Sequence, residues 1–132
     1  MISTSDDLEA QLGRLGRRFE TSADGTFVLS LGPGQPPVAL RFTPPLLVVQ
    51  VAVGPAPKSD AEAARVYRKL LELNASALMH AAYGLEGDLI VLSSALETAS
   101  LDLNELEAVL ADIDVALSEH VPVLRNMVQT AS

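Results

Sequence analysis

Few residues of this chain belong to types that do chemistry, and their spacing limits what they can do. His80 and His120 are its two histidines. Cysteine is absent and no H-x-x-x-H or H-E-x-x-H pair occurs, so a metal centre has a weak basis in converging ligands. Each histidine is expected at a helix end, where the helix dipole stabilises an imidazolium. A serine–histidine–acid triad is open on composition, yet no G-x-S-x-G elbow presents a nucleophile. Gly32-Pro33-Gly34 and Gly84-Leu85-Glu86-Gly87 have no Lys-Ser/Thr after them and do not join a strand to a helix as a phosphate cradle must. Asp112 and Asp114 stand two apart on an expected helix, so they do not face each other and read as surface charge. No catalytic, cofactor-binding or metal-ligating residue is assigned.

Asn74 is the polar residue that stands out, an amide inside an apolar helical stripe. It either meets a partner or satisfies main-chain groups of the hairpin that follows. The cost of burying an amide without partners favours the structural role.

The elements that position these residues follow from the apolar pattern. A first helix is expected over Asp6–Arg18, capped by Ser5 or Asp6, with Leu8, Leu12 and Leu15 on one stripe and Arg14, Arg17 and Arg18 at its carbonyl end. Thr26–Leu31 and Val38–Phe42 alternate as strands, separated by the loop Gly32–Pro37. Leu46–Val53 has Gln50 as its only polar residue and is expected to be the most buried strand. The short links favour an antiparallel meander. A second helix opens near Ser59 or Asp60 and runs to about Met79, with Tyr67, Leu70, Leu71, Asn74, Ala77 and Leu78 on its apolar face and Leu73 beside it. Ala82–Glu86 and Leu89–Leu92 form a hairpin around Gly87-Asp88. Ser93–Ser100 reads as a crossing segment. A last helix starts at Asp102, with Glu105 in a capping-box-like position. Leu103, Leu106, Leu110, Ile113 and Leu117 make its stripe. Pro122 is expected to end or kink it. The last few residues, Gln129–Ser132, are expected to fray.

The expected architecture is α+β, an antiparallel sheet of about five strands packed against helices in the order α-β-β-β-α-β-β-α, as one domain over 1–132. A hydrophobic content of 48% argues against disorder. With three Phe, two Tyr and no Trp, the core falls to Leu, Val and Ala. The formal net charge of −8 opposes generic binding to nucleic acid or anionic membrane. The charge is uneven. From Leu70 to Leu124 there is no Lys or Arg, whereas eight of the nine basic residues precede Leu70. That acidic stretch reads as a solvated face, with the alternative that it steers a basic partner or pairs two copies. The amino terminus lacks a basic n-region and an apolar h-region, so no secretory leader is expected. The longest apolar run falls far short of the ~20 residues of a spanning helix. A soluble cytoplasmic protein is the expectation.

Leu70-Leu71-Glu72-Leu73-Asn74, followed by an apolar helix end, a Gly-bounded hairpin and an acid-capped amphipathic helix, resembles the YbjN family. That family is similar in fold to the type III secretion chaperones of the Tir-chaperone class, in which an L-L-x-x-N helix also precedes a hairpin. The specific resemblance covers about Tyr67–Leu124. It implies the same element order, no cofactor and no chemistry. It further implies a non-enzymatic protein-binding module, a homodimer that takes an extended segment of another protein. A partner strand would pair with a sheet edge, or its apolar anchors would enter grooves beside the first helix. Leu8, Leu12, Leu15, Phe27 and Phe42 are the candidates to line such a groove, and they equally suit a core. Dimerisation is expected to use the second helix or the sheet. Two other readings stand beside this one. The first is a structural oligomerisation module, and the second a small-ligand protein or enzyme using His80 or His120 with a neighbouring acid.

Overall fold

The computed structural model describes residues 2–32 and 35–129. Helix α1 spans Ser5–Arg14. Thr4, rather than Ser5 or Asp6, caps it, in a reciprocal box with Asp7 whose carboxylate takes the Ser3 and Thr4 amides. The helix stops well before Arg18. Gly16 adopts a left-handed φ of 71°. The Arg17 amide then reaches back to the Leu12 carbonyl and the Gly16 amide to that of Gly13, a Schellman ending.

That early stop releases Arg17 and Arg18 into extended chain and allows a strand absent from the expected order, β1 (Phe19–Thr21). Strands β2 (Phe27–Leu29), β3 (Val38–Thr43) and β4 (Leu46–Pro55) continue the meander. Helix α2 (Asp60–Ser76) follows, then β5 (Ala82–Glu86), β6 (Leu89–Glu97) and helix α3 (Leu103–Gln129). The sheet therefore has six strands, ordered β1-β2-β3-β4-β6-β5, every neighbouring pair antiparallel.

β6 overturns the crossing segment expected at Ser93–Ser100. Its strand continues through Ser93 and Ser94 because β4 offers an unbroken partner, pairing Gln50 with Ser93 and Leu46 with Glu97. Ladder hydrogen bonds outweigh two weak strand formers. Only Thr98 onward turns away. Buried Thr98 ties the ends together: its amide and hydroxyl both donate to the Pro45 carbonyl, and its own carbonyl accepts from Ile2.

One face of the sheet carries Leu29, Val38, Leu40, Leu47, Val49, Val51 and Leu92, all with no exposed surface, into a single cluster with the helices. The other face stays open. There Val28, Ala39, Val48 and Gln50 are half-buried, and Arg41, Ala52 and Ala95 are exposed. β4 is thus an alternating strand, not one buried on both sides, because no helix covers the second face.

α2 opens on Ser59, which accepts from the Glu62 amide. It buries Val66, Leu70 and Leu73. The apolar face is rotated from the expected one: Leu73 is inside, Tyr67 is half-buried, and Leu71 projects with 68% of its surface exposed. α3 begins after Asp102, whose carboxylate accepts from the Glu105 amide, and its stripe of Leu106, Leu110, Ile113 and Leu117 is buried as the spacing requires. It runs on through Pro122. Pro122 and Ser118 are both on the exposed side, so the Ser118 carbonyl that loses its main-chain donor is left to solvent. Pro33, Gly34, the side chain of Val128 and residues 130–132 lie outside the described residues, and with them part of the expected loop and most of the expected frayed end.

Candidate protein-binding site

Three places gather polar or exposed apolar groups, and only one has the geometry of a binding site for extended chain. The interior one is built around Asn74. From the last turn of α2, its Nδ2 donates to the Tyr83 carbonyl at 3.1 Å, and its Oδ1 accepts from the Tyr83 amide at 2.7 Å. One amide side chain thus satisfies both main-chain groups of a β5 residue on the edge of the sheet. The Tyr83 phenol turns inward to His120 Nδ1, 2.9 Å away. Burial, helped by the charge of Asp112, pushes the phenol up to about 12. Burial also lowers His120 below its ordinary value, with Lys69 adding to this while Glu119 and Asp112 oppose it.

His120 therefore departs from the helix-end imidazolium expected of it. It lies inside α3, buried, and favours the neutral ring. His80 follows α2 and is exposed, and its amide donates to Asp112 Oδ2 at 3.0 Å. Asp112 is accordingly no idle surface charge: it fastens the chain between α2 and β5 onto α3. The whole cluster reads as a joint between α2, β5 and α3. Among the described residues no three metal-ligating side chains converge, and no helix is long and apolar enough to cross a membrane.

The second place is the free edge at β1. Phe19 holds this strand to the core by an edge-on contact with Phe27, centroids 5.5 Å apart. The Ser22 amide bonds to Thr26 and the Ser30 amide to Arg18. Hydrogen-bonded positions alternate in an antiparallel pair, so Glu20 faces β2, while the main-chain groups of Phe19 and Thr21 point away from the sheet. Beside them a recess of about 680 Å³ is lined by two cations, Arg17 and Arg18, one acid, Glu20, and the apolar Phe19, Val28 and Leu29, together with Ser30 and Pro37. A second recess shares Arg17 and Arg18 and extends to Gly16 and Leu31. Among the described residues the one ion pair is the exposed Arg68–Glu72 contact on α2, so Arg14, Arg17 and Arg18 stand without acidic partners.

The five expected groove residues do not gather at this edge. Leu8, Leu12 and Phe27 lie in the core, at 0%, 0% and 3% exposure, and Leu15 and Phe42 are half-buried against it. Phe42 stands four residues beyond Val38, the partner of Leu29, which places it ~13 Å along the strand from this recess. The edge escaped the sequence reading because β1 is too short to show alternation, and its arginines read as the end of a longer helix.

The third place is an apolar exposure around α2 and the opposite edge. Leu71, Met79 and Leu85 are 68%, 87% and 50% exposed.

The chain is thus an α+β protein with a sheet of six antiparallel strands, one face backed by helices and the other open, whose β1 edge leaves the main-chain groups of Phe19 and Thr21 pointing outward. The chain belongs to the CesT_Tir_1 family of type III secretion chaperones, whose model matches residues 1–130. Its fold is also similar to solved structures. A chain of the heterodimeric ExoU–SpcU complex of the Pseudomonas aeruginosa type III secretion system superposes with a TM-score of 0.70 at 20% identity, over 87% of this chain and 95% of that one. YbjN of E. coli gives 0.65 at 14% identity, over 89% and 90%. A chain from the complex of the Yersinia pestis type III secretion chaperone SycH with a fragment of YscM2 gives 0.58 at 21%, over 86% and 99%. No functionally curated protein matches the sequence.

Proposed function

We propose that this protein is a non-enzymatic, cytoplasmic chaperone-like module that works as a homodimer and binds an extended segment of another protein. The observation that carries this reading is the β1 edge. The outward main-chain groups of Phe19 and Thr21 offer hydrogen bonds to an added strand. The adjoining recess receives alternate side chains of that strand, and unpaired Arg17 and Arg18 attract acidic positions on it. Leu8, Leu12 and Phe27 lie beneath in the core, with Leu15 and Phe42 packed against it, and take no part in this edge. Family membership and the solved complexes of similar proteins with their partners support the same direction.

The second half of the reading, the homodimer, rests on Leu71, Met79 and Leu85. Large apolar groups this exposed, on α2, in the link that follows it and on β5, suit a contact between copies.

The test is affinity capture from the native host with the wild-type chain and two variants. Thr21→Pro removes one outward amide without touching the ladder to β2, and the double charge reversal of Arg17 and Arg18 to Glu removes the attraction. A partner captured by the wild type should be lost from both, and hydrogen exchange should slow at Phe19 and Thr21 in the complex. Equal capture by all three proteins, or protection confined to other strands, overturns the edge as the site.

A further inference from the structure

We propose a second anchoring site, distinct from the β1 edge: the apolar recess between the end of β4, the start of β6, α2 and α3 seats an aliphatic side chain of a partner segment, and an acidic residue next to that anchor pairs with Arg125. The proposal rests on the partner-binding reading above and concerns a different surface.

The recess measures about 340 Å³ and is lined by Val53, Val66, Ile90, Val121, Leu124 and Arg125. Val66, Ile90, Val121 and Leu124 are at most 5% exposed, so its floor is packed and its shape is preformed. Such an apolar hollow with a single polar group is what a binding pocket needs: burial supplies affinity and the polar group supplies orientation. The rim is made by an irregularity in β4, whose register against β6 shifts between Ala52 and Gly54. Bulges of this kind bend a strand out of its ladder and recur beside functional sites. Gly54 lies at that rim, and a side chain there would meet no atom within 4 Å, so the main chain is open to a close approach.

Charge chooses the occupant. Arg125 is the first cation after Lys69 in a region otherwise rich in acids. It is exposed and makes no ion pair among the described residues. A basic segment drawn to the acidic half of the chain is repelled at this mouth, and a wholly apolar one leaves the guanidinium unused. An aliphatic residue followed by Asp or Glu satisfies both walls and rim.

The experiment uses the full chain with methyl and amide labels, titrated with acetyl-Ala-Leu-Leu-Asp-Ala-amide and with its Asn and Lys counterparts. The Asp peptide should shift the methyl signals of Val53, Ile90, Val121 and Leu124 with a roughly millimolar Kd, and the Asn peptide should bind about two- to fivefold more weakly. Arg125→Glu, an exposed change that should leave the circular dichroism and melting curve intact, should reverse the order and prefer the Lys peptide. Three results overturn the site: no shift at these methyls, equal binding of the Asp and Asn peptides, or shifts of the same methyls on simple dilution, which would show a second copy covering the recess. Each leaves the β1 reading standing. Conversely, a β1 edge that fails its own test leaves these methyl shifts to be judged separately.

Discussion

The phenol of Tyr83 on β5 and Nδ1 of His120 on α3 share a buried hydrogen bond of 2.9 Å. The same tyrosine has its amide and carbonyl held by Asn74 on α2. One residue of an edge strand is therefore tied to two helices, by its side chain to one and by its main chain to the other.

This arrangement gives stability a definite pH dependence. His120 is lowered in the folded state from an ordinary value of 6.5, so the unfolded chain takes up a proton first as the pH falls. The stabilisation is complete above 6.5 and drains away as the pH drops through the folded value. The urea midpoint should be lower at about pH 5.5 than at about pH 7.5, and His120→Phe should flatten that slope. A wild-type midpoint constant over this range would refute the sign.

The two halves of the joint should differ in worth. Asn74→Ala strips partners from both main-chain groups of Tyr83 and should cost about 2–4 kcal/mol. Tyr83→Phe removes only the phenol and leaves one imidazole nitrogen unpaired, a loss of about 1–2 kcal/mol. Chemical denaturation of both variants checks the ranking. A Tyr83→Phe loss larger than that of Asn74→Ala would move the joint's centre of gravity from main chain to side chain.

Pro122 interrupts the hydrogen-bond ladder of α3 on its exposed side. Pro122→Ala restores one amide and relieves the ring's conflict with the preceding turn, so stability should rise by about 1–3 kcal/mol. Thermal melts suffice to test this, and an unchanged or lower Tm would count against the account of α3.

Leu71→Asp should act on assembly and not on folding. The side chain is mostly exposed, so the monomer should lose no more than about 0.5 kcal/mol. If α2 joins two copies, the mass from light scattering should fall from two chains to one. A wild type that already runs as a monomer would remove the homodimer from the proposed function.

Much of the architecture is legible in the local spacing of residues, and the elements that are not share a physical origin. The stripes of α1 and α3, the hairpin at Gly87-Asp88 and the amide on α2 follow from local spacing. β6 past Leu92 does not, because two serines look like a break until β4 is seen beside them. Leu71 and Leu73 exchange roles for a similar reason: both fit an apolar helix, and only the placement of β5 and α3 decides which turns inward. β1 and its arginines needed the glycine turn at residue 16 to be recognised as a helix end. At the candidate site, the outward amides of Phe19 and Thr21 are a matter of register, which no composition reveals. The recess at Arg125 joins four separate elements, β4, α2, β6 and α3, so its lining is scattered along the chain.

The brevity of β1 also guards the molecule against itself. A second copy adding antiparallel at this edge, centred on Glu20, would set two Glu20 carboxylates side by side. A parallel addition in register would stack Arg17 on Arg17 and Arg18 on Arg18. Like charges placed directly opposite weaken a strand pair, and three residues supply few hydrogen bonds to offset that. The edge is thus poorly made for polymerising with its own kind, and fibre growth from this side is discouraged.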